Sequence, residues 1–336
     1  MSRHYNPKHY PWNTRNWVQL VVFLVTVAIG IQFYFFVEQV RGGGLVTIPR
    51  PPGVEGFLPI GSLMAWKYFL FTGTWDTMHP AGMVIIGFAI FLSFGLRKVF
   101  CGWFCPVGTI SEWLWRIGQK WFGRNFMFPR WLDITLRSLK YILMVFFVFA
   151  VLVYTVPNIR LFLESRYWKV SDIKMLHFFT KMSLLTAIVL MLLAIGSLFI
   201  RNFWCRYLCP YGALMGLFAL ASPTRVERNE QKCTNCALCS KVCPAYLPVD
   251  KKPAILSAEC TGCMQCTTVC PVKETMVMQT VGTKKNFWTV SRMAIVIVGS
   301  FLVVVMIARG FGFWESSITI DELHEIFPLI PYLRHI

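Results

Sequence analysis

Long, nearly unbroken apolar runs alternate along this chain with short connections rich in Lys and Arg. The first run, Trp17 to Val37, is long enough to cross hydrocarbon as one helix, which takes about 20 residues at about 1.5 Å of rise each. A second extends from Ala81 to Leu96, and a third begins near Ile134 and continues through Ile142 to Val156. A fourth covers Ser183 to Ile200, and a fifth Phe287 to Ile307. The pattern predicts an all-α integral membrane bundle of about five transmembrane helices. A cleaved signal peptide competes for the first run, but the run is too long for such a core. No small-residue cleavage site follows it in Val37-Glu38-Gln39-Val40-Arg41, so it reads as an uncleaved span.

The connections orient the bundle. Arg3, Lys8 and Arg15 precede the first span, Arg97 and Lys98 end the second, and Arg201 ends the fourth. Between Arg116 and Lys140 the basic residues face Asp133 alone. Basic residues gather on the cytoplasmic side of membrane proteins, which puts the N-terminus inside. The tail from Gly310, with Glu315, Asp321, Glu322 and Glu325, falls outside, in the periplasm of a bacterial cytoplasmic (inner) membrane. Gly42-Gly43-Gly44 and Pro49 to Gly53 break regular structure, Phe57 to Trp75 reads as an interfacial helix or hairpin, and Pro157 to His177 as a short outer loop. A hydrophobic fraction of 56% in 336 residues and a mean hydropathy of +0.54 exclude an ordinary soluble domain. The net charge of +17 raises nucleic acid as a partner, but the distribution beside the spans argues against it. Trp12, Trp17, Trp288 and Trp314 suit the aromatic belts of a bilayer.

Between the fourth and fifth spans the cysteines take over. Cys233, Cys236, Cys239 and Cys243-Pro244 are followed by Cys260, Cys263, Cys266 and Cys270-Pro271. Each run has the C-x2-C-x2-C-x3-C-P spacing that wraps three thiolates round a cubane and sends the fourth to the neighbouring one. One [4Fe–4S] cluster is expected on Cys233, Cys236, Cys239 and Cys270, the other on Cys260, Cys263, Cys266 and Cys243. Zinc sites need neither the third cysteine nor the trailing Pro, and a disulfide framework belongs to small secreted domains. A small α+β bacterial ferredoxin-like domain, inserted in the bundle, is therefore expected. The expected divisions are 1–16, an N-terminal cytoplasmic segment; 17–221, a four-span membrane domain; 222–282, the cytoplasmic cluster domain; 287–309, the fifth helix; and 310–336, the acidic tail.

Four further cysteines form a repeat. Cys101-x-x-x-Cys105-Pro106 follows the second span and Cys205-x-x-x-Cys209-Pro210 the fourth, with the same offset between the pairs. The two spans run in the same direction, as parallel repeats do. Helical spacing would set the two thiols of each pair one turn apart, and each Pro suits the first turn of a following helix. These thiols could hold a third metal centre, act as redox pairs, or pack as small buried hydrophobes.

Phe100-Cys101-Gly-Trp-Phe-Cys105-Pro106-Val-Gly108 and Trp204-Cys205-Arg-Tyr-Leu-Cys209-Pro210-Tyr-Gly212, with the double cysteine run behind them, resemble the NapH/NosR-type membrane polyferredoxins. The likeness covers roughly residues 80 to 280. It implies a quinol-linked electron-transfer protein serving a respiratory partner: an iron–sulfur, cytochrome or molybdenum subunit of a redox complex. NapH-like chains end soon after the clusters, whereas a fifth span and acidic tail follow here. NosR-like chains open with a large outer flavin-binding domain, and nothing of that size precedes the first span here, so a covalent flavin is not implied. The related CcoG-type proteins supply the alternative, a copper- or thiol-reducing assembly factor for an oxidase or reductase.

A quinone site needs an apolar cleft and a group that exchanges protons with the quinone oxygens. Asp76 and His79 stand just before the second span and His177 before the fourth; these are the candidates, with Glu55 a weaker one. Interfacial side chains bonded to backbone are the plain alternative for each.

Overall fold

The computed structural model describes residues 12–282 and 287–333. The expectations for Arg3 and Lys8 lie outside the described residues. Helix α1 runs Thr14–Arg41, α2 Pro59–Thr72, α3 Pro80–Leu96, α4 Pro106–Phe122 and α5 Arg130–Val153. Then come α6 (Val156–Leu163), α7 (Arg166–Lys169), α8 (Ser171–Thr180), α9 (Leu184–Phe199), α10 (Phe203–Tyr207) and α11 (Pro210–Leu220). Strand β1 is Thr224–Arg228, α12 Leu238–Lys241, β2 Ala254–Ile255, α13 Gln265–Val269 and β3 Met276–Thr280. The chain closes with α14, Val290–Gly310, and α15, Ile320–Ile326.

Helices α1, α5 and α14 are long and apolar enough to cross a membrane, and α8 with α9, bent by 77° at their junction, make a fourth candidate among the described residues. Helix α3 is equally apolar but has only 17 residues. In the most apolar stretch of α5 only 11% of positions are buried within the protein, so most of its side chains, Ile142, Phe146 and Phe149 among them, look outward. Apolar surface costs roughly 25 cal/mol per Å² in water, so such helices need lipid around them. This is a mostly helical membrane protein with one small sheet.

Two connections are helical, one of them against expectation. The stretch from Pro157 to His177 is helical rather than a loop, as α6, α7 and α8. Pro157 sits in the first turn of α6, Ser165 caps α7 by accepting from the Trp168 amide, and Ile159, Phe162 and Leu163 supply a buried face. The stretch from Phe57 to Trp75 resolves to helix α2, closed by Gly73 at φ 72°, a left-handed cap that costs glycine little. From α2, Lys67 Nζ donates to the carbonyls of Val151 (3.1 Å), Leu152 (2.8 Å) and Tyr154 (2.6 Å). It thereby satisfies acceptors that the end of α5 leaves unpaired.

The chain divides into two units. The first comprises Met1–Phe23, Ala89–Val145 and Val189–Gly299 and contains all twelve cysteines, none paired as a disulfide. Its antiparallel sheet has the order β2-β1-β3, with Val226 opposite Ile255 on one side and Met278 on the other. The second unit comprises Leu24–Phe88, Phe146–Ile188 and Ser300–Ile336. One of its cores sets Phe33, Phe36 and Val40 of α1 against Val170, Ile173 and Leu323.

Candidate functional site

In the first unit three cavities are each lined by four cysteines. Cys233, Cys236, Cys239 and Cys270 line one of about 340 Å³. Cys243, Cys260, Cys263 and Cys266 line a second of about 400 Å³. The spacing rule assigned these two sets, crossing included. Both loops are built alike: the second and fourth residues after the leading cysteine are left-handed, Asn235 (φ 52°) and Ala237 (φ 56°) in one, Gly262 (φ 59°) and Met264 (φ 57°) in the other. Alternating hands turn consecutive amides to one side, a concavity that favours anions such as cluster sulfur. Four thiols per cavity, in loops of that shape, fit an iron–sulfur cubane.

The third cavity, about 740 Å³, is lined by Cys101, Cys105, Cys205 and Cys209. The pairs do not lie along regular α-helix as their spacing suggests. Residues Phe100–Phe104 form a wider π turn, in which the Cys105 amide bonds the Phe100 carbonyl at 3.0 Å, and the Cys209 amide bonds Trp204 in the same register at 3.0 Å. The wider turn frees Cys105 and Cys209 to cap α4 and α11, with Pro106 and Pro210 in the first helical turn. The Gly212 amide donates to Cys209 Sγ at 3.3 Å.

Charged side chains surround this third cavity. Glu112 receives both Arg15 Nη1 (3.0 Å) and Arg15 Nη2 and also accepts from Gln19 (3.1 Å), Arg116 (2.5 Å) and Gln265 (3.2 Å). Burial alone raises the Glu112 carboxyl, but Arg15 and Arg116 more than reverse this and hold it at about 2. Glu259 accepts two bonds from Lys140 (2.6 and 2.7 Å) and lies 3.7 Å from Lys98. Burial is again opposed, by Lys98 and Lys140, and Glu259 also stays at about 2. Arg206 pairs with Asp133 at 2.8 Å, and Tyr207 donates to the same carboxylate at 2.8 Å. Sequence reasoning missed these partners, since nothing local links Arg15 to Glu112 or Lys140 to Glu259.

Burial dominates the thiols. It pushes Cys105 up to about 11 and Cys243 up to about 12, and raises Cys101, Cys205, Cys260 and Cys266. Cys233 goes the other way because Arg228 hydrogen-bonds it. Metal ligation needs thiolates, so loading these sites releases protons.

The quinone candidates lie in the second unit and do not all meet. His79 is fully buried: its Nδ1 stands 3.1 Å from Arg50 Nη2 and 3.5 Å from Glu55 Oε1, and its Nε2 2.7 Å from the Trp168 carbonyl. Arg50 is held by Asp172 at 2.6 and 2.9 Å, and Glu55, also fully buried, accepts from the Gly82 amide at 3.1 Å. A cavity of about 890 Å³ opens on Arg50 and Glu55 between Phe36, Ile48, Ile318 and Leu323. Asp76 accepts from the Trp168 indole at 2.9 Å. At His177 burial and the charge of Lys181 disfavour the protonated ring, with Glu38 opposing them. Arg50 and Asp172 escaped the sequence reading; an arginine between Pro49 and Pro51 was the available signal.

Apolar helices joined to cysteine-lined cavities with amide-rich loops define a membrane iron–sulfur protein. The 4Fe-4S binding domain family matches residues 78–125 and 182–228, and the 4Fe-4S dicluster domain family residues 225–286. The chain is 40% identical to the putative electron transport protein YccM of Escherichia coli, over 97% of this chain and 94% of that one. It is 31% identical to NirI of Paracoccus denitrificans over 61% of this chain and 30% of that protein. Against the ferredoxin-type protein NapH of Haemophilus influenzae it is 27% identical over 49% and 55%. No solved structure matches the chain. The chain belongs to the NapH/NosR-type membrane polyferredoxins and carries out iron–sulfur electron transfer.

Proposed function

We propose that the protein passes electrons between the quinone pool and a redox subunit of a respiratory complex, with the cavity beside Arg50 and Glu55 as the quinone site. The proposed arrangement has five membrane crossings, α1, α3, α5, α9 and α14. The N-terminus and the cluster domain (222–282) are cytoplasmic, and the acidic tail is periplasmic. Two [4Fe–4S] clusters would sit on the two crossed cysteine sets; when bound, each supplies reversible one-electron storage.

The observation that carries the quinone reading is a largely buried, ionisable triad, Arg50, Glu55 and His79, of which Arg50 and Glu55 line a cavity that Phe36, Ile48, Ile318 and Leu323 also line. Ionisable groups kept at this depth are costly and mark function more often than structure. A quinol gives up two protons and two electrons on oxidation. Arg50 can donate to a quinone oxygen, the Glu55 carboxylate can take a proton, and His79 is in position to take it onward. Asp172 holds Arg50 in place, and Phe36, Ile48, Ile318 and Leu323 offer apolar contact to the ring. Asp76 reaches His79 through Trp168 and would support this site, while His177 is not among the residues that line the cavity.

The test is anaerobic mixing of the purified protein with menaquinol while the iron–sulfur absorbance and EPR signals are followed. Reduction in the wild type, slowed about a hundredfold in Glu55→Gln, is expected. A wild type whose clusters ignore menaquinol in both directions would remove the quinone from the account and leave the electron transfer standing.

A further inference from the structure

We propose that Cys101, Cys105, Cys205 and Cys209 together hold one additional polynuclear iron–sulfur centre of the four-iron type, and that Lys98 sets its potential. The proposal uses the first unit only and does not depend on a quinone.

The ligand count calls for a shared site. Each match to the 4Fe-4S binding domain family falls on one repeat, and each repeat brings only two cysteines. A cubane takes four. The structure resolves the shortfall, because the two repeats present their thiols to a single cavity. Cys205 lies within electrostatic reach of Cys209, Cys105 and Cys101.

The size of the site points the same way: four thiols face one cavity wide enough for a core of several atoms. The cavity is the largest of the three cysteine-lined ones, at about 740 Å³.

Construction is matched in both repeats: a turn closed five residues back, a cysteine at the helix cap and Pro after it. Cys105 and Cys209 thus stand at the positive ends of α4 and α11, where anionic sulfur is favoured. Charge balance supplies the rest. A cubane with four thiolates carries a net charge of about −2 in its oxidised state. Lys98 and Lys140 share the one carboxylate of Glu259, which leaves a surplus positive charge at the wall to which Lys98 belongs. Pro244, Ala245 and Thr261 line this cavity and also that of Cys243, Cys260, Cys263 and Cys266, so the two sites share a wall.

The experiment uses the full chain, purified anaerobically with its clusters in place. Iron and acid-labile sulfide are counted and an EPR redox titration is run. About twelve iron atoms per chain in the wild type are expected, falling to about eight in Cys101→Ser and in Cys205→Ser, with the same spectral component lost in both. Because a Ser variant could fail to fold, Lys98→Met is titrated alongside: one component should move to lower potential while the other two stay fixed. A wild type with about eight iron atoms and two components, or one that binds a single copper ion at these thiols in their place, overturns the proposal. So does a Lys98→Met titration identical to wild type, for the role of Lys98.

Discussion

In the dicluster cavities the backbone supplies the electrostatics, whereas in the cavity of Cys101, Cys105, Cys205 and Cys209 the side chains do. The loops at Asn235, Ala237, Gly262 and Met264 turn their amides by left-handed residues, with charged side chains as additions, Asp250 and Arg228 at one site and Arg97 near Cys260 at the other. The third cavity has Arg15, Lys98, Arg206, Glu112 and Glu259 in its wall. Amide nests are local and can be written into a short sequence. Buried ion pairs must be gathered from distant segments, and each leaves an uncompensated charge if one partner goes. The two kinds of site therefore fail differently.

The largest expected effect breaks a nest-type site outright. Cys266→Ala should remove one cluster, about four iron atoms per chain, while leaving the Arg15–Glu112 pair intact; iron analysis and EPR check it. Next comes Glu112→Gln, which strands the buried Arg15 guanidinium and should cost about 3–5 kcal/mol, read as lost thermal stability in detergent. The same carboxylate gives a pH signature. Its folded value, about 2, lies below the ordinary 4.5, so its stabilisation is complete above pH 4.5 and drains away as pH falls towards 2. Glu112→Gln should flatten the acid limb of the stability curve in that window.

A smaller effect tests the frame beneath the third cavity. Gly118 of α4 lies so close to α9 that an added Cβ would fall 1.8 Å from the Leu198 carbonyl oxygen. Gly118→Ala should cost about 1–3 kcal/mol by overpacking, and should disturb the component assigned to Cys101 and Cys205 before the dicluster pair. Smallest of all is Thr319→Ala, which removes the capping box at α15 in the second unit. About 1 kcal/mol is expected, with every iron–sulfur signal unchanged.

The same contrast explains what could be read from the chain alone. Cysteine spacing grouped the same four thiols that line each of these two cavities, because three of each four lie on one short loop. Prolines 106 and 210 located two helix starts for the same reason. The apolar runs gave the long helices to within a few residues at each end. The π turn at Cys101 was invisible, since spacing alone does not distinguish closure over four residues from closure over five. Helices α6 to α8 were hidden by mixed charge, although Ile159, Phe162 and Leu163 carry a helical face that a closer count would have found. Glu55 was the weaker candidate because its contacts with His79, and with an Arg50 held by Asp172, are made only in the fold.

The strands β1 and β3 pair from Thr224 with Thr280 to Arg228 with Met276, and beyond their ends the Val281 amide bonds the Pro223 carbonyl at 3.1 Å. The eight-cysteine segment therefore departs and returns through one doorway, zipped shut behind it. In its threading such a segment is a cassette, held to the helices not by the path of the chain but by the side chains of Glu259 and Gln265, which reach Lys140 and Glu112.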